Sequence, residues 1–157
     1  MLITLLLLCF LLGCVNGLRA FTAPAAVSWA AHLGWLHLAG TRLAFVGSRP
    51  TLIVLTLLAL CEYVIDKLPN TPPRTQPRGL IPRLLFAGLC GASLATSAGQ
   101  GWNVPGAVAI IGALVGTFAG YNIRHALVTR VLLPDFPVAL AEDMIAISAS
   151  LLIVSRL

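Results

Sequence analysis

Apolar residues run in long blocks along this chain, and polar residues gather at the joints between them. The first block covers residues 2–18 and closes on "GLRAF", where Arg19 is the first charged side chain. Five more follow, at 24–46, 51–68, 80–98, 105–131 and 137–154. None alternates apolar and polar positions as barrel strands do, and open sheet edges do not exist in lipid, so all six read as helices. Pro24 opens the second block and Pro50 leads into the third, positions where a missing N–H is harmless to a helix. The pattern predicts an all-α fold, a polytopic helical membrane bundle of about six transmembrane helices forming one domain over residues 1–157. The second block is ambiguous. "AAHLGWLHLAGTRLAF" carries His32, His37 and Arg42, so five spans plus a re-entrant or interfacial helix is the alternative.

Composition narrows the class. Only 10% of residues are charged and 59% are hydrophobic, whereas soluble domains carry about 25% charged residues. A water-exposed surface cannot be built from that supply. The net charge of +5 is spread between apolar blocks, which suits membrane orientation and argues against a nucleic-acid partner. Cys9, Cys14, Cys61 and Cys90 all lie inside apolar blocks without Cys-x-x-Cys or Cys/His spacing. They read as buried apolar side chains, and no metal or cofactor is expected. "LLGC" at 11–14 has the look of a lipoprotein cleavage site, but Met1 to Thr4 holds no Lys or Arg, so a retained first helix is expected.

The joints set the sidedness. Residues 67–83, "KLPNTPPRTQPRGLIPR", contain five prolines and four basic residues and no acid, which predicts an irregular cytoplasmic loop. "GQGWNV" at 99–104 is uncharged and should face outward, with Trp102 as an interface anchor. Six spans place Arg19, Lys67, Arg74, Arg78, Arg83, Arg124 and Arg130 inside, seven basic residues against three outside. Five spans give six against four, a weaker asymmetry.

That topology brings polar residues of four blocks to one end: Arg19; Glu62, Asp66 and Lys67; Asn122 and Arg124; Glu142 and Asp143. Glu62 and Asp66 stand one helical turn apart on one face. At 1.5 Å per residue, Glu62 and Glu142 lie roughly 7–9 Å inside their helix ends, where an unpaired charge costs about 2.5–3.5 kcal/mol. These side chains should therefore face one another or a wet cavity. One reading is a cytoplasm-facing vestibule that binds a small solute, an ion or a proton. The other is a ring of ion pairs, Arg19 and Arg124 with Glu62 and Glu142, that only sets helix register.

Gly112, Gly116 and Gly120 recur every four residues, a helix-packing face that lets another helix approach, within the chain or between subunits. His32 and His37 do not share a helix face and read as interfacial side chains; His125, beside Arg124, is a candidate proton partner. "ALCEYVI" at 59–65 and "ALAEDMI" at 139–145 share four of seven residues, a hint of internal repetition that six-span topology does not support with a single symmetry operation.

"GLRAF", "E-x-x-x-D-K-L-P-x-T-P-x-R-T" from Glu62 and "L-P-D-x-P-V-A-L-x-E-D" from Leu133 resemble an uncharacterised family of small bacterial multi-pass membrane proteins, a domain of unknown function. The resemblance covers nearly the whole chain. It implies a helical protein of a bacterial inner membrane and leaves activity open. Its motif residues are Arg19, Glu62, Asp66, Lys67, Arg74, Asp135, Glu142 and Asp143. The functional expectation is a small transporter or channel-like protein. The alternative is a non-transporting subunit or assembly factor that packs through its glycine faces against a second copy or another membrane protein. Enzyme chemistry is not expected, because no serine or cysteine has an evident catalytic partner.

Overall fold

The computed structural model describes residues 1–67 and 74–156. Among them it contains six α-helices and no strand: α1 (Leu2–Leu18), α2 (Thr22–His32), α3 (Arg49–Ile65), α4 (Pro77–Ser97), α5 (Asn103–Thr129) and α6 (Asp135–Val154). The fold is an all-helical bundle. Helices α4, α5 and α6 are each long and apolar enough to cross a membrane, and α1 is a shorter apolar helix. Large apolar side chains are exposed along α1, α3, α5 and α6, among them Ile3, Leu57, Ile111 and Leu152. Soluble monomers do not expose apolar surface on this scale, whereas lipid tails would cover it.

Helices α1, α4 and α5 form the core. α1 and α5 run parallel in intimate contact. A Cβ on Gly112 would fall on the Phe10 carbonyl oxygen, one on Gly116 on the Cys14 carbonyl, and one on Gly13 on the Ala109 carbonyl. The glycine stripe of α5 is thus occupied by α1 of the same chain. Helix α4 runs antiparallel to both, with Cys9 beside Gly91 and Asn16 beside Arg83. Successive helices alternate in direction, so α3 enters the end that α6 leaves. No single operation can then relate both the α1/α5 pair and the "ALCEYVI"/"ALAEDMI" pair.

The second apolar block departs from expectation. It is helical only over Thr22–His32, about 16 Å of rise, and not through residue 46. Gly34 takes φ 82°, Gly34 N–H bonds the Ala31 carbonyl and Trp35 N–H bonds that of Ala30, a Schellman stop. The chain then continues without helix. It buries Leu36 and Leu38, ties His37 N–H to Ser97 Oγ at 2.9 Å, and passes Gly40 at φ 77° before a 3-10 turn at Ala44–Gly47. So the block is a short helix followed by turns and bends that bury Leu36 and Leu38, in place of the full-length helix expected.

The loop expected at 67–83 is also shorter than its prolines suggest. Pro77 starts α4, where its missing N–H costs nothing, and Pro82 sits inside the helix near its start. Residues 68–73, which carry the rest of that loop and part of its motif, lie outside the described residues.

Candidate functional site

The turn between α1 and α2 is buried. Arg19 and Ala20 are 0% and 3% exposed although they join two helix ends. The level can be read from the neighbours: Gly17 lies against Thr117 and Arg83. Helix α4 begins six residues before Arg83 and α5 continues twelve beyond Thr117. At 1.5 Å per residue Gly17 therefore lies about 9–18 Å short of those helix ends, and the turn, two to three residues on, about 3–4.5 Å nearer to them.

A buried turn exposes helix-end N–H and C=O groups that need partners. Side chains from distant helices supply them. Glu62 of α3 accepts from Ala20 N–H at 2.7 Å and Phe21 N–H at 3.0 Å, acting as the N-terminal cap of α2. The Gly17 carbonyl accepts from Arg83 Nε at 3.2 Å and Thr117 Oγ1 at 3.1 Å, and the Leu18 carbonyl from Arg74 at 3.3 Å. A favourable carboxylate at a helix N-terminus and cations at a C-terminus also match the helix dipoles.

The same side chains pair with each other. Arg19 binds Asp66, lies 2.7 Å from Asp143 and reaches 3.9 Å from Glu142. Lys67 holds Asp143 at 3.0 Å, Arg83 holds Glu62 at 3.3 Å, and Arg74 grips both oxygens of Glu142. Arg124 binds Asp135 through two nitrogens at 2.8 and 2.9 Å and stands 3.6 Å from Glu142. The Tyr63 ring lies under Arg19, its centroid 6.0 Å from the guanidinium carbon, with its hydroxyl 2.8 Å from Thr22 Oγ1. Every Asp and Glu of the chain, five in all, belongs to this one network.

Set against the residues singled out from sequence, Arg19, Glu62, Asp66, Lys67, Glu142, Asp143 and Arg124 do meet. The expected ring holds at Glu142, which has both Arg19 and Arg124 within 4 Å, and fails at Glu62. Glu62 faces Arg83 and backbone N–H groups, while Arg19 faces the two aspartates. Asn122 does not belong: it is exposed, and its side chain makes no hydrogen bond among the described residues. His125 stacks on Tyr121, ring centroids 6.1 Å apart, away from the acids. Arg74 and Asp135, named among the motif residues, belong to the network as well, while Arg83 and Asn16 were not foreseen as site residues. Asn16 is fully buried; its amide donates to the Arg83 carbonyl and its Oδ1 has no partner among the described residues. The available signal for Arg83 was the "LIP" before it, which already belongs to α4. Gly112 and Gly116 face α1, while Gly120 faces Leu18 at the edge of the network, with Arg74 and Glu142 beside it.

Among the described residues, two cavities reach the network. One of about 220 Å³ lies at the loop end and is lined by Glu62, Asp66, Arg74, Arg78, Arg83 and the start of α4. The other, about 350 Å³, is an apolar cleft between α5 and α6 that reaches Arg124 and Glu142. No metal-binding group of three or more His, Cys, Asp or Glu exists among the described residues.

A family model described as a domain of unknown function, DUF4126, matches residues 6–155. No curated protein and no solved structure matches the chain.

Proposed function

The chain belongs to the DUF4126 family, a domain of unknown function, and from its own residues we propose a small transporter or channel-like protein of a bacterial inner membrane. The end holding the network faces the cytoplasm. Seven basic residues gather there against Arg42, Arg49 and Arg156 at the other end, the asymmetry that retains loops inside. Trp35 and Trp102 are exposed at that opposite end, where an outer interface would hold them.

One observation carries the reading. The α1–α2 turn stops short of the bundle end and leaves a charged recess above it, lined by the ends of separate helices. Intramembrane charges that face a cavity mark solute and ion pathways, and helix ends meeting at a polar site are how transporters hold small ligands. In the state described, the ion pairs close the recess from below. Opening requires Glu142 to exchange partners between Arg74, Arg124 and Arg19, all of which lie within 4 Å of it.

Proteoliposomes loaded and assayed with a panel of radiolabelled or fluorescent solutes test this. Wild type should support uptake or efflux of at least one solute. Glu142→Gln, which removes the charge that three arginines share, should lower that flux about tenfold or more while the protein still reconstitutes. Equal flux in both proteins would remove the network from the mechanism.

A second reading, a non-transporting membrane subunit, draws on the complete pairing of the five carboxylates. A network that is closed in this way also serves as a static lock. It predicts no flux of any solute, and a lower melting temperature of Glu142→Gln as its only phenotype.

A further inference from the structure

The charges around the 220 Å³ recess determine the sign of what it can hold. Three arginines and two carboxylates line it. Both carboxylates are already engaged. Glu62 accepts from Ala20, Phe21 and Arg83, and Asp66 is bound by the fully buried Arg19. Of the arginines, Arg83 is committed to Glu62 and to the Gly17 and Gly79 carbonyls, and Arg74 to Glu142 and the Leu18 carbonyl. Arg78 alone among the lining charges has no ion pair with any described residue, and it is exposed at the rim. The recess therefore carries an uncompensated positive charge.

A cation site needs carboxylate or carbonyl oxygens that are free to turn toward the ion. The chain has five side-chain carboxylates and all of them sit in ion pairs. An anion needs only donors, and the recess offers them. The Arg78 guanidinium is a planar fork suited to carboxylate or phosphate oxygens. It stands on the first turn of a 21-residue helix, whose positive dipole end points the same way. Glu62 illustrates the preference: the neighbouring N-terminus, that of α2, already holds an anionic group, supplied from within the chain.

We infer that the ligand of this recess is an anion, a carboxylate- or phosphate-bearing group engaged by Arg78 above the Arg83–Glu62 and Arg19–Asp66 pairs. The inference rests on the recess being a binding site, as proposed above, and it names the class of substrate. The oxygens can belong to a free solute or to a lipid headgroup, since the rim lies where headgroups would lie.

Full-length protein in detergent, unfolded thermally against increasing inorganic phosphate at constant ionic strength, tests the class. Wild type should melt at rising temperature as phosphate saturates the site. Phosphate also stabilises proteins by exclusion from their surface, so the decisive comparison is between variants. Arg78→Gln should weaken the apparent affinity about tenfold or more, the loss of one charge-assisted contact. Arg130→Gln, an exposed basic residue lost from the same end, should behave as wild type. The lipid source is tested in nanodiscs of phosphatidylglycerol against phosphatidylcholine. Arg78-dependent stabilisation by phosphatidylglycerol without any by free phosphate assigns the anion to a headgroup. The inference falls if neither phosphate nor phosphatidylglycerol depends on Arg78, or if sodium, potassium or magnesium stabilises wild type at fixed anion. Phosphate binding through Arg78 without flux of any solute keeps the anion and removes transport. Flux of a cation, unchanged in Arg78→Gln, keeps transport and removes the anion.

Discussion

Arg19 has no exposed surface, and three carboxylates lie within 4 Å of its guanidinium. Its two terminal nitrogens divide the work, Nη1 to Asp66 and Nη2 to Asp143. Asp66 has no other ion pair among the described residues, whereas Asp143 also holds Lys67. Removing one partner of a buried pair strands the other charge, at a cost of about 3–5 kcal/mol. Arg19→Gln should therefore lower stability by about that amount, read as a fall in melting temperature and in detergent-extracted yield. Arg19→Lys should not restore it, because a single ammonium cannot span two carboxylates as a guanidinium does. Full rescue by lysine would show that charge alone is required and that the fork geometry is irrelevant.

At the scale of helices, the architecture depends on how closely α1 approaches α5. Their contact is backbone against backbone at Gly112 and Gly116, and at Gly13 and Gly17 from the other side. Small residues at four-residue spacing are the membrane solution to packing, since lipid provides no hydrophobic drive between helices. Gly116→Ala places a methyl group on the Cys14 carbonyl, and backbone on both sides must move. The expected cost is about 1–3 kcal/mol. Gly101→Ala is the control: nothing lies within 4 Å of its would-be Cβ, and it should stay within about 0.5 kcal/mol of wild type. Thermal unfolding of the two variants in one detergent measures the difference. Equal melting temperatures would mean that the α1–α5 contact is looser than described.

For the whole molecule, helix direction gives a topology. Thr4, Gly47 and Gly101 lie at one end of the bundle, and Gln76 lies at the other with the network. Single cysteines at these four positions can be labelled with a membrane-impermeant maleimide in intact cells. Cys9 and Cys90 are buried and can remain, while Cys14 and Cys61 are replaced. Positions 4, 47 and 101 should react from outside, and position 76 only after the membrane is opened. Labelling of 4 and 76 from a common side would separate Arg19 from Asp66 and Asp143 across the bilayer and end the network as a unit. Reaction of all four positions from both sides would instead mean that the bundle does not span.

Block lengths and joints determined five of the six helices by themselves, because a helix in lipid must be apolar along its length and charges must wait for its ends. Residue depth was legible for the same reason: each residue adds 1.5 Å, so Glu62 and Glu142 had to arrive at one level with Arg19. Partners were not legible. Counting along a helix gives height but neither its rotation nor its neighbours, so Asn122 stood at the right height and faces outward, while Arg83 looked like part of a loop and is a buried ligand of Glu62. The early stop of the second block turned on Gly34 adopting a left-handed conformation within a run that stays apolar past it. Only the packed fold decided that the α1–α2 turn is buried. Its orphan backbone groups then drew in Glu62, Arg83 and Arg74, because a buried turn without water must find its hydrogen bonds in side chains.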